Sequence, residues 1–185
     1  MKRSRRPLPS LSQIREDTRH EQFFFNTTTV RRLVDLLEDA RDPLLVCLPS
    51  IALALAEQGR PAALLDRDRR FHGLPRARDF DLHHPDFIEG SHDFLLCDPP
   101  FANVSLPALR QTLDLLVASA MAPTAHPALG LAYISSRESE LLGAFSPYDL
   151  QPVGAPLGYR SVAQATQDRI RLYLSAGART ACGQP

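Results

Sequence analysis

The residues best suited to chemistry stand together as Asp98-Pro99-Pro100-Phe101, directly after the apolar run Phe94-Leu95-Leu96-Cys97. Neither proline has a backbone N–H, and Pro100 restricts Pro99, so no strand or helix continues through the pair. A carboxylate, a backbone carbonyl and a ring are therefore expected at the C-terminal end of a strand, the edge where open α/β sheets bind ligands. That set suits methyl transfer to an amine. An exocyclic amino group on a base has its lone pair delocalised into the ring. The Asp98 side chain and the Pro99 carbonyl could accept its two N–H groups and turn the lone pair toward a methyl donor, with Phe101 stacked on the flat acceptor. The same four residues could also do no more than end a strand and turn the chain. The surrounding elements have to separate the two.

Apolar runs at 44–48, 62–66, 93–97 and 129–134 read as strands, with a weaker one at 78–81. Helices are expected at 51–58, 106–120 and 137–145, and upstream of them through Val30, Leu33, Val34 and Leu37, capped by Thr27 or Thr28. Residues 148–153 and 170–174 read as a late strand pair around a loop containing Pro and Gly. Alternating strands and helices followed by such a pair argue a three-layer α/β sheet. Asp66, Asp81 and Asp98 then end three successive strands. Asp66 could hold ribose hydroxyls, and Asp81 could accept from an adenine amino group. Each acid alone is equally a solvated loop residue. The turn after the first strand, Leu48-Pro49-Ser50, lacks the glycine-rich loop that a pyrophosphate needs. S-adenosylmethionine carries no phosphate, and is the cofactor that this pattern favours.

The 185 residues suit one domain, expected at 21–177, between a flexible basic arm at 1–20 and a tail at 178–185. The 21 Lys plus Arg balance the 21 Asp plus Glu, so no global basic field gathers nucleic acid. No apolar run is long enough for a bilayer, and the basic start runs into Pro7-Leu8-Pro9 rather than a signal peptide's apolar stretch. Cys47, Cys97 and Cys182 are scattered and odd in number, which fits a reducing cytoplasm. His83-His84-Pro85 is read as a polar turn rather than a metal site, and Cys97 as a buried small hydrophobe. Arg67, Arg69 and Arg70 could partner Asp66 and Asp68 or touch a phosphate. Of the adjacent rings Phe23, Phe24 and Phe25, at least one should meet a pocket, since three in a row cannot share one face.

Five blocks, in this order, resemble the N6-adenine methyltransferase-like group of class I methyltransferases. Gln22-Phe23-Phe24-Phe25-Asn26 resembles its Gln-Phe-Trp-Tyr-Ser, and Val46-Cys47-Leu48-Pro49-Ser50 its glycine-poor first turn. Asp66-Arg67-Asp68-Arg69-Arg70-Phe71 resembles its acid-x-Asp-x-Arg-aromatic block, and Phe80-Asp81-Leu82-His83-His84-Pro85 its Tyr-Asp-Tyr-Asn-Asn-Pro. Asp98-Pro99-Pro100-Phe101 stands in the place of its catalytic motif. Characterised members include translation-elongation-factor lysine methyltransferases. A related group, ribosomal-RNA adenine-N6 methyltransferases with zinc fingers, shares the Asp66-x-Asp68 pattern and the Asp-Pro-Pro-Phe motif, but this chain has none of the finger cysteines. It also departs from both groups in the basic arm and at 154–167.

The resemblance implies a Rossmann-like class I methyltransferase fold, a seven-stranded, mostly parallel sheet flanked by helices, with a C-terminal antiparallel strand pair. It implies S-adenosyl-L-methionine against Phe25, Asn26, Leu48, Pro49, Ser50, Asp66, Arg67, Asp81, Leu82 and Asp98. Asp98, Pro99, Pro100 and Phe101 would be catalytic, and Phe101, Tyr159 and Arg160 would meet the substrate. No metal and no membrane are implied. The leading acceptor is adenine N6 in RNA or DNA, which must be flipped or single-stranded to be reached. A protein lysine is the alternative, and a non-catalytic methyltransferase-fold subunit the third reading.

Overall fold

The computed structural model describes residues 14–17 and 22–183. In chain order the elements are α1 (Thr27–Leu36), β1 (Pro43–Val46), α2 (Pro49–Glu57), β2 (Ala63–Leu65), β3 (Ala77–Arg78), β4 (Phe94–Cys97) and α3 (Leu106–Ala120). Then come β5 (Leu129–Ile134), α4 (Glu138–Ala144), β6 (Gln151–Val153), α5 (Gln164–Gln167), β7 (Ile170–Leu174) and α6 (Ala176–Ala181). The strands form one sheet in the order β3-β2-β1-β4-β5-β7-β6. The first five run parallel, and β7 is antiparallel to both β5 and β6. Every residue of β1, β2 and β4 is buried, as continuous apolar runs covered on both faces must be. This is the seven-stranded, mostly parallel sheet with a C-terminal antiparallel pair that the resemblance implies, with its order reversing between β1 and β4.

Two cores lie on the two faces. Leu33, Val34 and Leu37 of the first helix region pack with Ile51 and Leu55 of α2 on one side. Leu109, Leu113 and Leu116 of α3 pack with Leu95, Cys97 and Tyr133 on the other. Burying each such leucine contributes roughly 1.5–3 kcal/mol, so the short strands are held by packing as much as by their ladders.

Local details depart from the sequence-based expectations for physical reasons. Asn26, not Thr27 or Thr28, caps α1, its Oδ1 accepting from the Thr29 N–H at 2.9 Å. β3 is two residues long and ends before Asp79, because Phe80 and Leu82 turn inward to cover the α3 face. Ser146–Tyr148 forms a 3-10 turn and Asp149 takes a φ of 49°, so β6 starts only at Gln151. Of the basic arm at 1–20, residues 1–13 and 18–20 lie outside the described residues. Residues 14–17 are tied down: Glu16 Oε1 accepts from Phe24 N at 2.7 Å, and Asp17 O from Gln22 N at 3.0 Å.

The stretch from 178 onward, expected as a tail, begins inside α6. Ser175 Oγ caps this helix at Ala178 N (3.1 Å) and donates to Pro127 O (2.8 Å), and Ala178 is fully buried. A Cβ at Gly177 would lie 2.1 Å from the His126 carbonyl oxygen. Gly177→Ala should therefore destabilise by about 1–3 kcal/mol despite the better helix propensity of alanine. Urea unfolding measures it, and an unchanged or raised midpoint would mean that α6 is not docked there.

Candidate active site

The cleft opens where β1 and β4 end. Asp98 N–H donates to Val46 O (3.1 Å) and Cys47 N–H to Leu65 O (2.9 Å), so each ladder runs one residue past its strand. Cys47 then takes a φ of 58°, left-handed backbone that costs a non-glycine residue energy. The chain turns there into α2. Leu48 and Ser50 are buried, and Pro49 is the residue of this turn that, with Cys47, faces the cleft. Past Asp98, the Asn103 and Val104 N–H groups both donate to Pro100 O (3.1 Å each), closing a turn that leaves the Pro99 carbonyl outside its bonds.

The cleft has a cavity volume of about 350 Å³, lined by Phe23, Cys47, Pro49, Asp66, Arg67, Asp98 and Pro100 among others. A second hollow of about 200 Å³, lined by Phe80, Asp81, Leu82 and His83, shares Cys47, Arg67 and Pro100 with it. Asp66 is 5% exposed, and its Oδ1 accepts from Asp68 N at 2.8 Å. Burial pushes its carboxyl up to about 6, against the pull of that N–H. Asp98 is half-buried on the cleft lining, and Tyr159 Oη donates to its Oδ1 at 2.9 Å. Burial pushes this carboxyl up to about 8, against the downward pull of the Tyr159 hydrogen bond.

Asp81 lies beyond the end of β3 rather than at a strand terminus. It is part-exposed, and its Oδ1 accepts from His83 N at 3.0 Å, which holds its carboxyl below the usual range. Phe101 is half-buried, with its ring edge-on to Tyr133 at 5.2 Å and 78°. Phe25 is buried against Tyr159 at 4.6 Å, and Asn26 is spent on the α1 cap, so neither lines the cleft. Phe23 is the ring of the aromatic run that does, while Phe24 packs edge-on to Phe71. Of the two residues expected to meet the substrate, Tyr159 is 5% exposed and Arg160 is exposed. Arg70 grips Asp68 through Nε (2.9 Å) and Nη2 (2.7 Å), Arg69 lies 3.8 Å from Asp79, and Arg67 stands at the junction of the two hollows.

Sequence reasoning missed Gln22, whose Nε2 donates to Asp68 Oδ2 at 2.7 Å and which lines the cleft, and Cys47, whose backbone strain leaves no compositional trace. Among the described residues no group of three or more His, Cys, Asp and Glu is gathered as a metal site would need. The donor set fits S-adenosylmethionine. A buried and a half-buried carboxyl on one cleft and no glycine-rich cradle suit a cationic, phosphate-free ligand better than a nucleotide phosphate.

Between the ordinary carboxyl value of 3.8 and about 8, folded Asp98 keeps a proton that the unfolded chain has released. Its contribution to stability is thus full at low pH and lost as pH rises through that window. Asp98→Asn removes the titration while its amide oxygen still accepts from Tyr159. The variant should match the parent near pH 4 and exceed it by at least about 1 kcal/mol at pH 8. Urea midpoints across that range check it; parallel curves would mean that Asp98 titrates normally.

No curated protein matches the chain. Among solved structures, magnesium protoporphyrin IX methyltransferase (ChlM) from Synechocystis PCC 6803, with bound SAM, superposes at a TM-score of 0.55 and 15% identity over 80% of this chain and 77% of its own. TrmN from Thermus thermophilus gives 0.53 and 18% over 78% of this chain, which spans 47% of TrmN. The 16S rRNA methylase RmtB gives 0.50 and 15% over 80% of this chain and 61% of its own. At these identities the likeness is one of fold. The sequence of residues 16–147, more than half the chain, matches the family described as "Probable N6-adenine methyltransferase". The chain belongs to that family, and is an S-adenosylmethionine-dependent methyltransferase of the Rossmann-like class I fold.

Proposed function

We propose that the protein methylates an amino nitrogen, adenine N6 of RNA or DNA foremost. The observation that carries this reading is Asp98 on the lining of the cleft at a proline-stopped strand end, with Pro100 on the same lining and Pro99 and Phe101 its neighbours in the chain. The cofactor, when bound, supplies an electrophilic methyl group on a positively charged sulfur. Asp66 would hold its ribose hydroxyls and Asp81 its adenine amine, with Arg67 and Leu82 at the adenine side. Backbone from Cys47 through Leu48, Pro49 and Ser50 would lie under the methionine part. Asp98 and the Pro99 carbonyl accept the N–H groups of the acceptor, Pro100 fixes the turn between them, and Phe101, propped by Tyr133, packs on the flat base. Transfer would break the S–CH3 bond, leaving a neutral thioether, as the N–C bond forms, and the one N–H proton lost would pass to the Asp98 carboxylate.

A positive ligand in the cleft lowers the Asp98 pKa and makes the carboxylate available only when the site is loaded. Arg160, exposed and next to Tyr159 in the chain, is the residue that would meet an acceptor's backbone. The family description supports adenine. The formal net charge of +0 favours a second reading, a protein lysine, since nothing global attracts polyanions. Three free thiols suit a reducing compartment such as the cytoplasm.

Tritiated-methyl transfer into lysate from cells lacking the gene, split by nuclease or protease, tests the acceptor. Counts removed by nuclease and reduced at least about 100-fold in Asp98→Ala support adenine. Counts in protein bands would move the assignment to lysine, and no counts with the native protein would end the enzyme reading. Asp66→Ala should weaken S-adenosylmethionine binding at least about 10-fold in calorimetry, by loss of a charge-assisted hydrogen bond. Unchanged affinity would remove Asp66 from the site.

A further inference from the structure

We infer that Tyr159 is a positioning residue for Asp98: its phenol holds Oδ1, so that Oδ2 is the oxygen presented to the acceptor. This rests on reading the cleft as the site of transfer. The Tyr159 hydroxyl donates to Oδ1 at 2.9 Å, and none of the described residues bonds Oδ2. A carboxylate on a strand end has two nearly equivalent oxygens and a soft terminal torsion. A fixed donor on one oxygen removes that freedom, and methyl transfer depends on aligning a nitrogen lone pair with the donor.

Tyr159 is itself held through its ring, its backbone and both of its neighbours. Its ring packs on Phe25 at 4.6 Å, and its backbone pairs with Phe25 in an isolated antiparallel bridge. Asn26 N–H donates to Gly158 O (2.9 Å), and Arg160 N–H to Phe24 O (2.8 Å). Gly158 N–H donates to Thr29 Oγ1 (2.8 Å), and Tyr159 N–H to Gln167 Oε1 (3.0 Å). A Cβ at Gly158 would come within 2.1 Å of Asn26 Nδ2, so only glycine permits this close pairing. The segment at residues 22–26 thereby ties Tyr159 to the cofactor side, since Gln22 also bonds Asp68, whose N–H bonds Asp66.

The other titratable groups about Asp98 are Cys97 in its own strand and Cys47 at the end of β1, both kept neutral by burial, with Asp17, Asp66, Arg67, Asp68, Arg69 and Arg70 on the same cleft. The Tyr159 hydroxyl is the group among them that hydrogen-bonds the carboxyl. Because that bond stabilises the carboxylate, its loss moves Asp98 further toward the protonated form.

Tyr159→Phe removes the hydroxyl and keeps the ring. Steady-state transfer should show kcat lowered about 10- to 100-fold, the acid limb of its pH profile moved up by about one unit, and the KM for S-adenosylmethionine within about 2-fold. Carboxyl NMR of Asp98 should show its midpoint rising in the variant whether or not turnover is measurable. Gln167→Ala, which frees the Tyr159 backbone without touching the hydroxyl, should move both readings the same way by less, and serves if Tyr159→Phe fails to fold. Native turnover with kcat and acid limb unchanged in the variant would overturn the inference, as would an unmoved Asp98 midpoint. A raised midpoint in a protein that transfers no methyl would uphold the Tyr159–Asp98 pair and sink the proposed function instead.

Discussion

The cleft depends on one constraint, the run-on of the β1–β4 pairing by a single hydrogen bond after both strands have formally ended. Asp98 N–H reaches Val46 O, and one residue later the backbone has no N–H left to give, because Pro99 and Pro100 follow. The last residue able to take part in the ladder is therefore the acid. Its Cα is fixed by sheet geometry, its side chain alternates away from buried Cys97, and the chain must leave the sheet immediately after it. On the neighbouring strand the solution is different. Cys47 keeps its N–H in the ladder and accepts a left-handed φ to turn into α2. One strand is stopped by missing donors and the other by a strained dihedral, and the hollow lies between the two exits. Where the strand order reverses, no crossover helix covers that gap.

Charge explains why such a hollow suits a cationic ligand. Two carboxyls, Asp66 and Asp98, face it with their pKa values raised by burial, to about 6 and about 8. Ionising either one in the empty cleft works against desolvation. A positive charge arriving between them reverses the balance and takes up the negative charge that the protein could not stabilise alone. The free chain thus carries a less negative cleft than its composition suggests. Of the arginines on the cleft, Arg70 is engaged by Asp68 and Arg69 lies beside Asp79, which leaves Arg67 as the cation set between the two hollows.

How much of this could be read from the sequence follows from how local each signal is. The apolar runs of β1, β2, β4 and β5 are set by burial on both faces, and were legible within a residue or two. The Asp98 motif was legible because proline acts on its immediate neighbours. Asp81 was misplaced by the same logic: Phe80 reads as a strand residue, yet its ring is needed on the α3 face and pulls the chain off the sheet edge. Asn26 outcompeted Thr27 and Thr28 as the cap because pairing with Gly158 holds its backbone in the extended state that a cap requires. Tyr159 was named as a contact of the acceptor and is instead buried behind the acid. Its partner is 61 residues away, and no spacing rule reaches that far.

The aromatic run gives the reason why a buried tyrosine, rather than an open loop, stands behind Asp98. Three consecutive rings in extended backbone must alternate, so Phe23 and Phe25 fall on one side of the segment and Phe24 on the other. Phe24 enters the core against Phe71, which leaves its neighbours toward the cleft and the 158–160 stretch. Because Phe25 is then a buried ring beside a polar strand end, the residue packed against it must offer an apolar body and one polar tip. Tyrosine meets both demands, and its tip reaches the carboxyl. The family match stops at residue 147, so this partner is supplied by the part of the chain beyond it. The antiparallel β6–β7 unit therefore does more than close the sheet: the connection between its strands brings Tyr159 back across the site.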